Sequence, residues 1–218
     1  MIRIESLCKT YILRGEHKIV ADNINVVIPS RVSVALLGRN GAGKSSLLRM
    51  IAGTMDADSG HIQVYGTISW PVGFSGSFHG ELTGAQNTRF IARVYGVDTD
   101  ELLESVQDFA ELGPHFHLPV RSYSSGMRSR LAFGISMGIR FDTYLVDEVT
   151  SVGDAAFRKK SEQVFGQRMA DSGAIVVSHA MGMIRRMCEH AIVLENGRIT
   201  YYDDLEQGIR HHESSISR

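Results

Sequence analysis

Residues 38–46, GRNGAGKSS, fit the pattern G-x-x-x-x-G-K-S and carry the side chains that phosphate binding requires. Glycines let backbone N–H groups turn inward around phosphates at the start of a helix. The ammonium of Lys44 can neutralise phosphate charge, and the hydroxyl of Ser45 is a ligand suited to Mg²⁺. The run predicts a nucleoside triphosphate site formed by Gly38, Arg39, Asn40, Gly41, Ala42, Gly43, Lys44, Ser45 and Ser46.

An acidic pair, Asp147 and Glu148, ends the apolar run YLVDE. Ligands of open α/β sheets bind at the carboxyl ends of the strands, where this pair is expected to lie. We expect Asp147 to join the Mg²⁺ shell and Glu148 to polarise the attacking water. An acidic strand end that only caps the next turn is the alternative. His179 follows another apolar run, AIVVS, and is expected at the same sheet edge, although a histidine there is often simply solvated.

A second possible anion site lies in SYSSGMRSRLAF. Ser124, Ser125 and Gly126 stand directly before an amphipathic run that includes Leu131 and Ile135, which is typical of a helix start that binds an anion. The phosphate loop already accounts for one end of a nucleotide. We therefore expect this helix start to bind the γ-phosphate held by a second copy of the chain, in a head-to-tail dimer with two-fold symmetry.

The elements that must position these residues alternate between strands and helices. IRIESL and NINVVI read as strands, VSVALL as a strand buried on both faces, and KSSLLRMIAG as the helix after the phosphate loop. From about residue 70 to 138 the pattern is helical, with Asp98 and Glu101 spaced as a capping box. Strands resume with TYLVDE, AIVVSH, AIVLEN and RITYYD. The pattern predicts one α/β domain over residues 1–218 with a helical insertion at about 70–138.

Composition narrows the class of protein. The 218 residues are 43% apolar, enough for a substantial core, and 23 Lys and Arg nearly balance 24 Asp and Glu. Without a net positive field, no nucleic-acid partner is expected. Cys8 and Cys188 fit no metal or redox spacing, and no leader is apparent, so we expect a cytoplasmic chain. The sequence contains no uninterrupted apolar run of about 18 residues, so we expect that the chain does not itself span a membrane.

Several histidines lie in stretches that read as loops or as a chain end. The last dozen residues, which include His211 and His212, are expected to be a solvated terminus. These two residues, with His115 and His117, are expected on the surface and not as metal ligands.

The order of the motifs resembles the nucleotide-binding subunits of ABC transporters. GRNGAGKS matches the phosphate loop of that family, YSSGM at residues 123–127 its signature helix start, and LVDE the strand with its Mg²⁺ ligand and base. The resemblance implies a P-loop NTPase core sheet with flanking helices, an N-terminal antiparallel β region and a helical subdomain. It also implies ATP and Mg²⁺ as ligands and a homodimer of ATPase subunits.

The same resemblance implies roles for three further residues. Tyr11 in LCKTY matches the aromatic residue that stacks on adenine, Asp154 in SVGD matches the loop that crosses the dimer, and His179 matches the switch histidine. The family usually has a glutamine where the helical insertion begins. ISWPVGFSGSFHGELTG has none near Gly73, so the group that senses the γ-phosphate there is unassigned.

Four stretches, ISWPVGFSGSFHGELTG, FIARVYG, YSSGMRSRLAFG and VDEVTSVGD, resemble in particular the ATPase subunits of bacterial capsular polysaccharide exporters. That resemblance implies ATP hydrolysis that drives export of a polysaccharide cargo through two copies of a separate polytopic membrane subunit, at the cytoplasmic face of the inner membrane. Export of another glycan, such as O-chain or teichoic acid, is the alternative. A soluble ABC ATPase and a nucleotide-dependent module that does not hydrolyse ATP are more remote ones.

The stretch 70–84 combines Trp70, Phe74 and Phe78 with several glycines. We expect it, together with residues 87–90, to receive a short cytoplasmic helix of the membrane subunit, with exposed rings as anchors. An ordinary loop whose rings pack in the core is the alternative.

Overall fold

The structure, a computed structural model, describes residues 1–13, 15–72, 78–147 and 155–216. Gly73, Phe74, Glu148 and Asp154 lie outside these ranges. The chain divides into two compact units, the first comprising Met1–Pro71, Phe141–Glu148 and Met169–Arg218, the second Val72–Arg140 and Val149–Arg168.

The described elements alternate along the chain as expected. The strands are β1 (Ile2–Leu13), β2 (Glu16–Ile28), β3 (Ser33–Leu37), β4 (Ser59–Val64), β5 (Ile68–Pro71), β6 (Thr143–Asp147), β7 (Gly173–Val177), β8 (His190–Glu195) and β9 (Arg198–Tyr202). The α-helices are α1 (Lys44–Ile51), α2 (Gly84–Tyr95), α3 (Thr99–Ala110), α4 (Ser125–Gly138), α5 (Ala155–Asp171), α6 (Met181–Met187) and α7 (Leu205–Ile216). No helix in the described ranges is both long and apolar enough to cross a membrane.

The first unit contains two sheets. A three-stranded antiparallel sheet has the order β2-β1-β4, and a six-stranded sheet has the order β5-β6-β7-β3-β8-β9, in which β9 runs antiparallel to β8 and the other pairs are parallel. Every residue of β3 and β7 is buried, which explains their continuous apolar sequences. Leu36, Leu48, Leu145 and Ile175 lie in the core that fills this unit.

The second unit is helical. Its helix α2 begins with a reciprocal capping box between Thr83 and Gln86, and α3 begins with Asp98, whose side chain accepts hydrogen bonds from the backbone of the first turn. The ring of Phe109 stacks on Phe133 with centroids 5.5 Å apart. These caps and ring contacts explain why residues with little strand character form a compact unit here.

Three details differ from the sequence-based expectations. β4 and β5 were not expected, and Trp70 lies in β5 of the first unit, whereas the first α-helix of the second unit begins at Gly84. The C-terminal residues form helix α7 instead of a solvated end. Its buried side includes Leu205, Ile209 and His212, which recur at helical spacing, so His212 is only 7% exposed and is not a surface residue.

Candidate functional site

The phosphate loop connects β3 to α1 and depends on glycine at two close approaches. A Cβ atom at Gly38 would lie 2.6 Å from the carbonyl oxygen of Leu194. Gly43 has φ +109°, and a Cβ atom there would lie 2.8 Å from the Cβ of Val20. Larger residues at either position would displace neighbouring strands, so the sequence builds a loop that fits tightly against the sheet.

The ammonium of Lys44 lies across the same loop. Its Nζ donates hydrogen bonds to the carbonyl oxygens of Gly38, at 2.7 Å, and Arg39, at 3.1 Å. The backbone N–H of Ala42 donates to the carbonyl of Arg39 at 3.0 Å and closes the turn. The loop thus holds a positive charge at the N-terminus of α1, and this arrangement is suited to phosphate.

A cleft of about 590 Å³ in the first unit brings together most of the site residues expected there. It is lined by Tyr11, Lys18, Val20, Asn40, Gly41, Gly43, Lys44, Ser45, Ser46, Asp147, Val177 and His179. Gly38, Arg39 and Ala42 belong to the loop without lining the cleft. Sequence reasoning missed Lys18 and Val20, because no motif marks them and only strand register places them here. It also missed Val177, although that residue belongs to the run AIVVS that precedes His179.

The acidic strand end and the histidine meet at one sheet edge. β6 and β7 are parallel neighbours, Asp147 is paired with Val177, and His179 lies two residues further along the chain. Asp147 is half-buried, and His179 is exposed. The hydroxyl of Ser45 and the carboxylate of Asp147 line the same cleft, and such oxygen donors suit Mg²⁺.

Tyr11 is anchored at the start of α1. Its hydroxyl lies 3.1 Å from the hydroxyl of Ser46 and donates a hydrogen bond to the sulfur of Met55, also at 3.1 Å. The ring is half-buried and forms one side of the cleft. An aromatic wall beside a phosphate loop is suited to a nucleobase.

The second unit contains the expected helix start. The side chain of Ser124 caps α4 by accepting a hydrogen bond from the backbone N–H of Met127 at 3.2 Å. Ser124 and Ser125 are exposed, and a Cβ atom on Gly126 would meet only the Ser124 hydroxyl, at 3.9 Å. Just before the cap, burial raises the pKa of Tyr123, whose hydroxyl donates to the carbonyl of His115. The segment thus ends in an exposed helix N-terminus, which is an arrangement suited to an anion.

The residues expected to dock a partner helix are not all exposed. In the first unit, Trp70 packs edge-on against Phe141, with ring centroids 5.6 Å apart. In the second unit, Phe78 is half-buried, and Asn87 is only 2% exposed because its amide bonds the backbone of segment 79–83. Phe90 is 59% exposed. The expectation is therefore wrong for Asn87, which supports a loop and offers no docking surface.

A mostly parallel sheet with a phosphate loop after one strand and a carboxylate after another defines a P-loop nucleotide-binding protein. Residues 21–151 match the family described as ABC transporter. A solved structure of a dimeric ATP-binding cassette in a post-hydrolysis state has the same fold, with a TM-score of 0.76 at 20% identity over 94% of this chain and 99% of that one. The expected fold class is confirmed.

Curated relatives extend the match along nearly the whole chain. The polysialic acid transport ATP-binding protein KpsT of Escherichia coli is 50% identical over 96% of this chain and 95% of its own length. The capsule polysaccharide export ATP-binding protein CtrD of Neisseria meningitidis serogroup B is 40% identical over 98% and 99%. The O-antigen export system ATP-binding protein RfbB of Klebsiella pneumoniae is 31% identical over 94% and 85%. The chain belongs to the ABC transporter family, as an ATP-binding protein.

Proposed function

We propose that this chain hydrolyses ATP to drive export of a capsular polysaccharide through a separate membrane subunit. The observation that carries the proposal is the 50% identity to the polysialic acid transport protein, which extends across nearly the whole of both chains. The capsule export relative of Neisseria meningitidis supports it in the same way, and the O-antigen relative is more distant. Export of O-chain or of teichoic acid is the alternative.

The cleft of the first unit supplies groups for each part of the nucleotide. In this proposal Tyr11 stacks on adenine, the phosphate loop cradles the phosphates and Lys44 neutralises their charge. Ser45 and Asp147 are the oxygen donors that would hold Mg²⁺, which, when bound, neutralises further phosphate charge. Residues 1–218 act as one ATP-binding domain, of which the second unit is the helical subdomain.

Hydrolysis also needs groups that act on water. Glu148 directly follows Asp147 in the sequence, so we assign it the role of the base that polarises the attacking water. His179, at the same sheet edge, is assigned the role of the switch histidine. Placed around a triphosphate, a base and a histidine favour a hydrolase over a module that only binds nucleotide.

A homodimer would explain why the chain carries two anion-binding features. The helix start formed by Ser124, Ser125 and Gly126 binds the γ-phosphate of the nucleotide held by a second copy, and the loop that contains Asp154 crosses between the copies. A related cassette of the same fold forms a dimer, which supports this arrangement.

We propose that the membrane partner docks on the exposed side of α2 with a short cytoplasmic helix, which holds the chain at the inner face of the bacterial inner membrane. Phe90 and Val94 are one helical turn apart and are 59% and 61% exposed, so they form an apolar stripe. Apolar side chains at this spacing are the usual anchors of a helix laid against a helix. Asn87 and Thr88 at the start of α2 are buried and cannot contact a partner. The proposed docking surface on α2 therefore consists of the stripe formed by Phe90 and Val94.

The docking proposal is tested by substituting both stripe residues. Phe90→Ser and Val94→Ser should reduce co-purification with the membrane subunit and stop export, whereas ATP hydrolysis by the isolated chain should stay within about twofold, because both side chains are exposed. Val27→Ser, at a position on β2 that is 47% exposed, is the matched control and should retain both properties. Full co-purification of the double variant would place the membrane subunit elsewhere.

The cargo is tested in the native host. Deleting the gene should remove surface capsule and leave polysaccharide inside the cell, and the wild-type chain, but not Lys44→Ala, should restore export. The other surface glycan that the host makes, whether O-chain or teichoic acid, should not change in the same cells. Loss of one of those glycans with capsule intact would support the alternative cargo.

A further inference from the structure

Lys18 lies in the cleft but belongs to none of the motifs that mark a nucleotide site. It is an exposed residue of β2 that lines the cleft together with the phosphate loop. In the antiparallel pair of β1 and β2, Lys18 stands directly opposite Tyr11. Opposite residues of an antiparallel pair project from the same face of the sheet, so Lys18 shares its face with the proposed adenine-stacking ring.

The strand carries Lys18 directly against the phosphate loop. Two residues further along β2, Val20 lines the same cleft, and its Cβ lies only 2.8 Å from where a Cβ of Gly43 would be. Lys18 also approaches the loop, because its Nζ lies 3.2 Å from where a Cβ of Gly41 would be. Lys18 and Val20 of β2 thus both lie against the phosphate loop, and the ammonium of Lys18 reaches the middle of that loop.

The absence of a charged or hydrogen-bonded partner within the described ranges distinguishes Lys18 from Lys9, Lys44 and Lys160. Lys9 pairs with Asp58 at 2.8 Å, Lys160 pairs with Glu111, and Lys44 donates to loop carbonyls. Among the residues that the structure describes, Lys18 has neither a hydrogen bond nor an ion pair. An ammonium placed beside a phosphate-binding loop without a protein counter-ion adds positive potential to the place where an anion would bind.

We propose that Lys18 is a second cationic contact for the phosphate chain of the nucleotide, beside Lys44. The proposal rests on the proposed ATP-binding role of the cleft. The ammonium bonds phosphate oxygens from the β2 side of the loop, whereas Lys44 approaches from the start of α1. Charge-assisted hydrogen bonds of this kind, in a cleft open to solvent and salt, change affinity by about tenfold.

The test measures binding without turnover. Calorimetry with the non-hydrolysable analogue AMP-PNP gives Kd for the wild type, for Lys18→Met, which keeps the length of the side chain and removes its charge, and for Lys18→Glu. Lys159→Met, at an exposed position of α5 outside the cleft, is the matched control. Displacement of a fluorescent nucleotide gives the affinity of the same variants for inorganic tripolyphosphate, which has no base or ribose. Thermal unfolding without ligand verifies that each variant is folded.

We expect Kd for AMP-PNP to rise about tenfold in Lys18→Met and further in Lys18→Glu, with Lys159→Met unchanged. The affinity for tripolyphosphate should fall by a similar factor. Unchanged Kd in Lys18→Met, or loss of AMP-PNP affinity without loss of tripolyphosphate affinity, would overturn the inference, the latter because Lys18 would then support the adenine side. A wild-type chain that binds neither ligand would overturn the proposed function and this inference with it.

Discussion

Replacing Gly126 with Asp tests whether the start of α4 lies at a nucleotide held by a second copy. Gly126 is the second residue of α4, and a Cβ atom there would meet only the Ser124 hydroxyl at 3.9 Å, so the side chain fits without displacing its neighbours. A carboxylate in the first helical turn stabilises the helix by about 0.3–1 kcal/mol. The isolated chain should therefore remain folded, and should bind ATP at its own phosphate loop as before.

The same carboxylate would repel a γ-phosphate. Two unit charges about 4 Å apart in a medium of effective dielectric constant near 20 repel each other by about 4 kcal/mol. About 1.4 kcal/mol corresponds to a tenfold change in an equilibrium constant. The repulsion between one carboxylate and one γ-phosphate should therefore raise the dissociation constant of the dimer about 10³-fold. A two-fold dimer contains two such pairs, so we regard this factor as a lower bound.

The assay is size determination in solution, with ATP, in a Glu148→Gln background, which we expect to hold ATP unhydrolysed. Gly126→Asn is the matched control, because it has nearly the same shape without the charge. We expect a dimer for Glu148→Gln, a monomer after addition of Gly126→Asp, and partial dimer for Gly126→Asn. A dimer that survives the carboxylate at micromolar concentration would show that this helix start does not meet the γ-phosphate.

Two further predictions concern catalysis and pH. Lys44→Ala should weaken nucleotide binding and turnover together, whereas Glu148→Gln should keep ATP bound and lower turnover about 10²-fold or more. Equilibrium binding measures the first property, and phosphate release measures turnover. Hydrolysis by Glu148→Gln at a near wild-type rate would refute the role of Glu148 as base. Burial lowers the pKa of His212 from its usual 6.5, so the unfolded chain binds the proton more readily. The free energy of unfolding should then fall as pH drops below about 6.5. Denaturant titrations between pH 7 and 5 should show a smaller fall of this free energy for His212→Gln than for the wild type. An equal dependence on pH in the two chains would contradict this reasoning.

Residues whose positions depend on local sequence were predictable. The glycines of the phosphate loop, the Ser124 cap and the acidic end of β6 each belong to a segment in which a strand or helix terminus and its functional group lie within a few residues. Such segments carry their own geometry, because a helix N-terminus orients its N–H groups whatever the rest of the chain does. The expected oxygen donors Ser45 and Asp147 line one cleft for a related reason, since parallel strands end at one sheet edge.

Contacts that depend on pairing between distant segments were not predictable. Lys18 and Val20 reach the loop only through the register of β1 with β2, which contains shifts that the sequence does not signal. The C-terminal helix was missed for a different reason. Its polar residues suggest a solvated end, but Leu205, Ile209 and His212 recur on one side, and packing against the sheet overrides the polar composition.

The two cleft lysines differ in what nucleotide binding must displace. Lys44 already donates to two loop carbonyls, so phosphate oxygens must replace those partners and only the difference contributes to affinity. Lys18, which has no such partner among the described residues, exchanges water alone. A lysine outside every motif can thus contribute a larger share of ground-state affinity than its exposed position suggests. Lys44 is the better placed of the two to respond when charge on the phosphates changes, because it belongs to the loop that surrounds them.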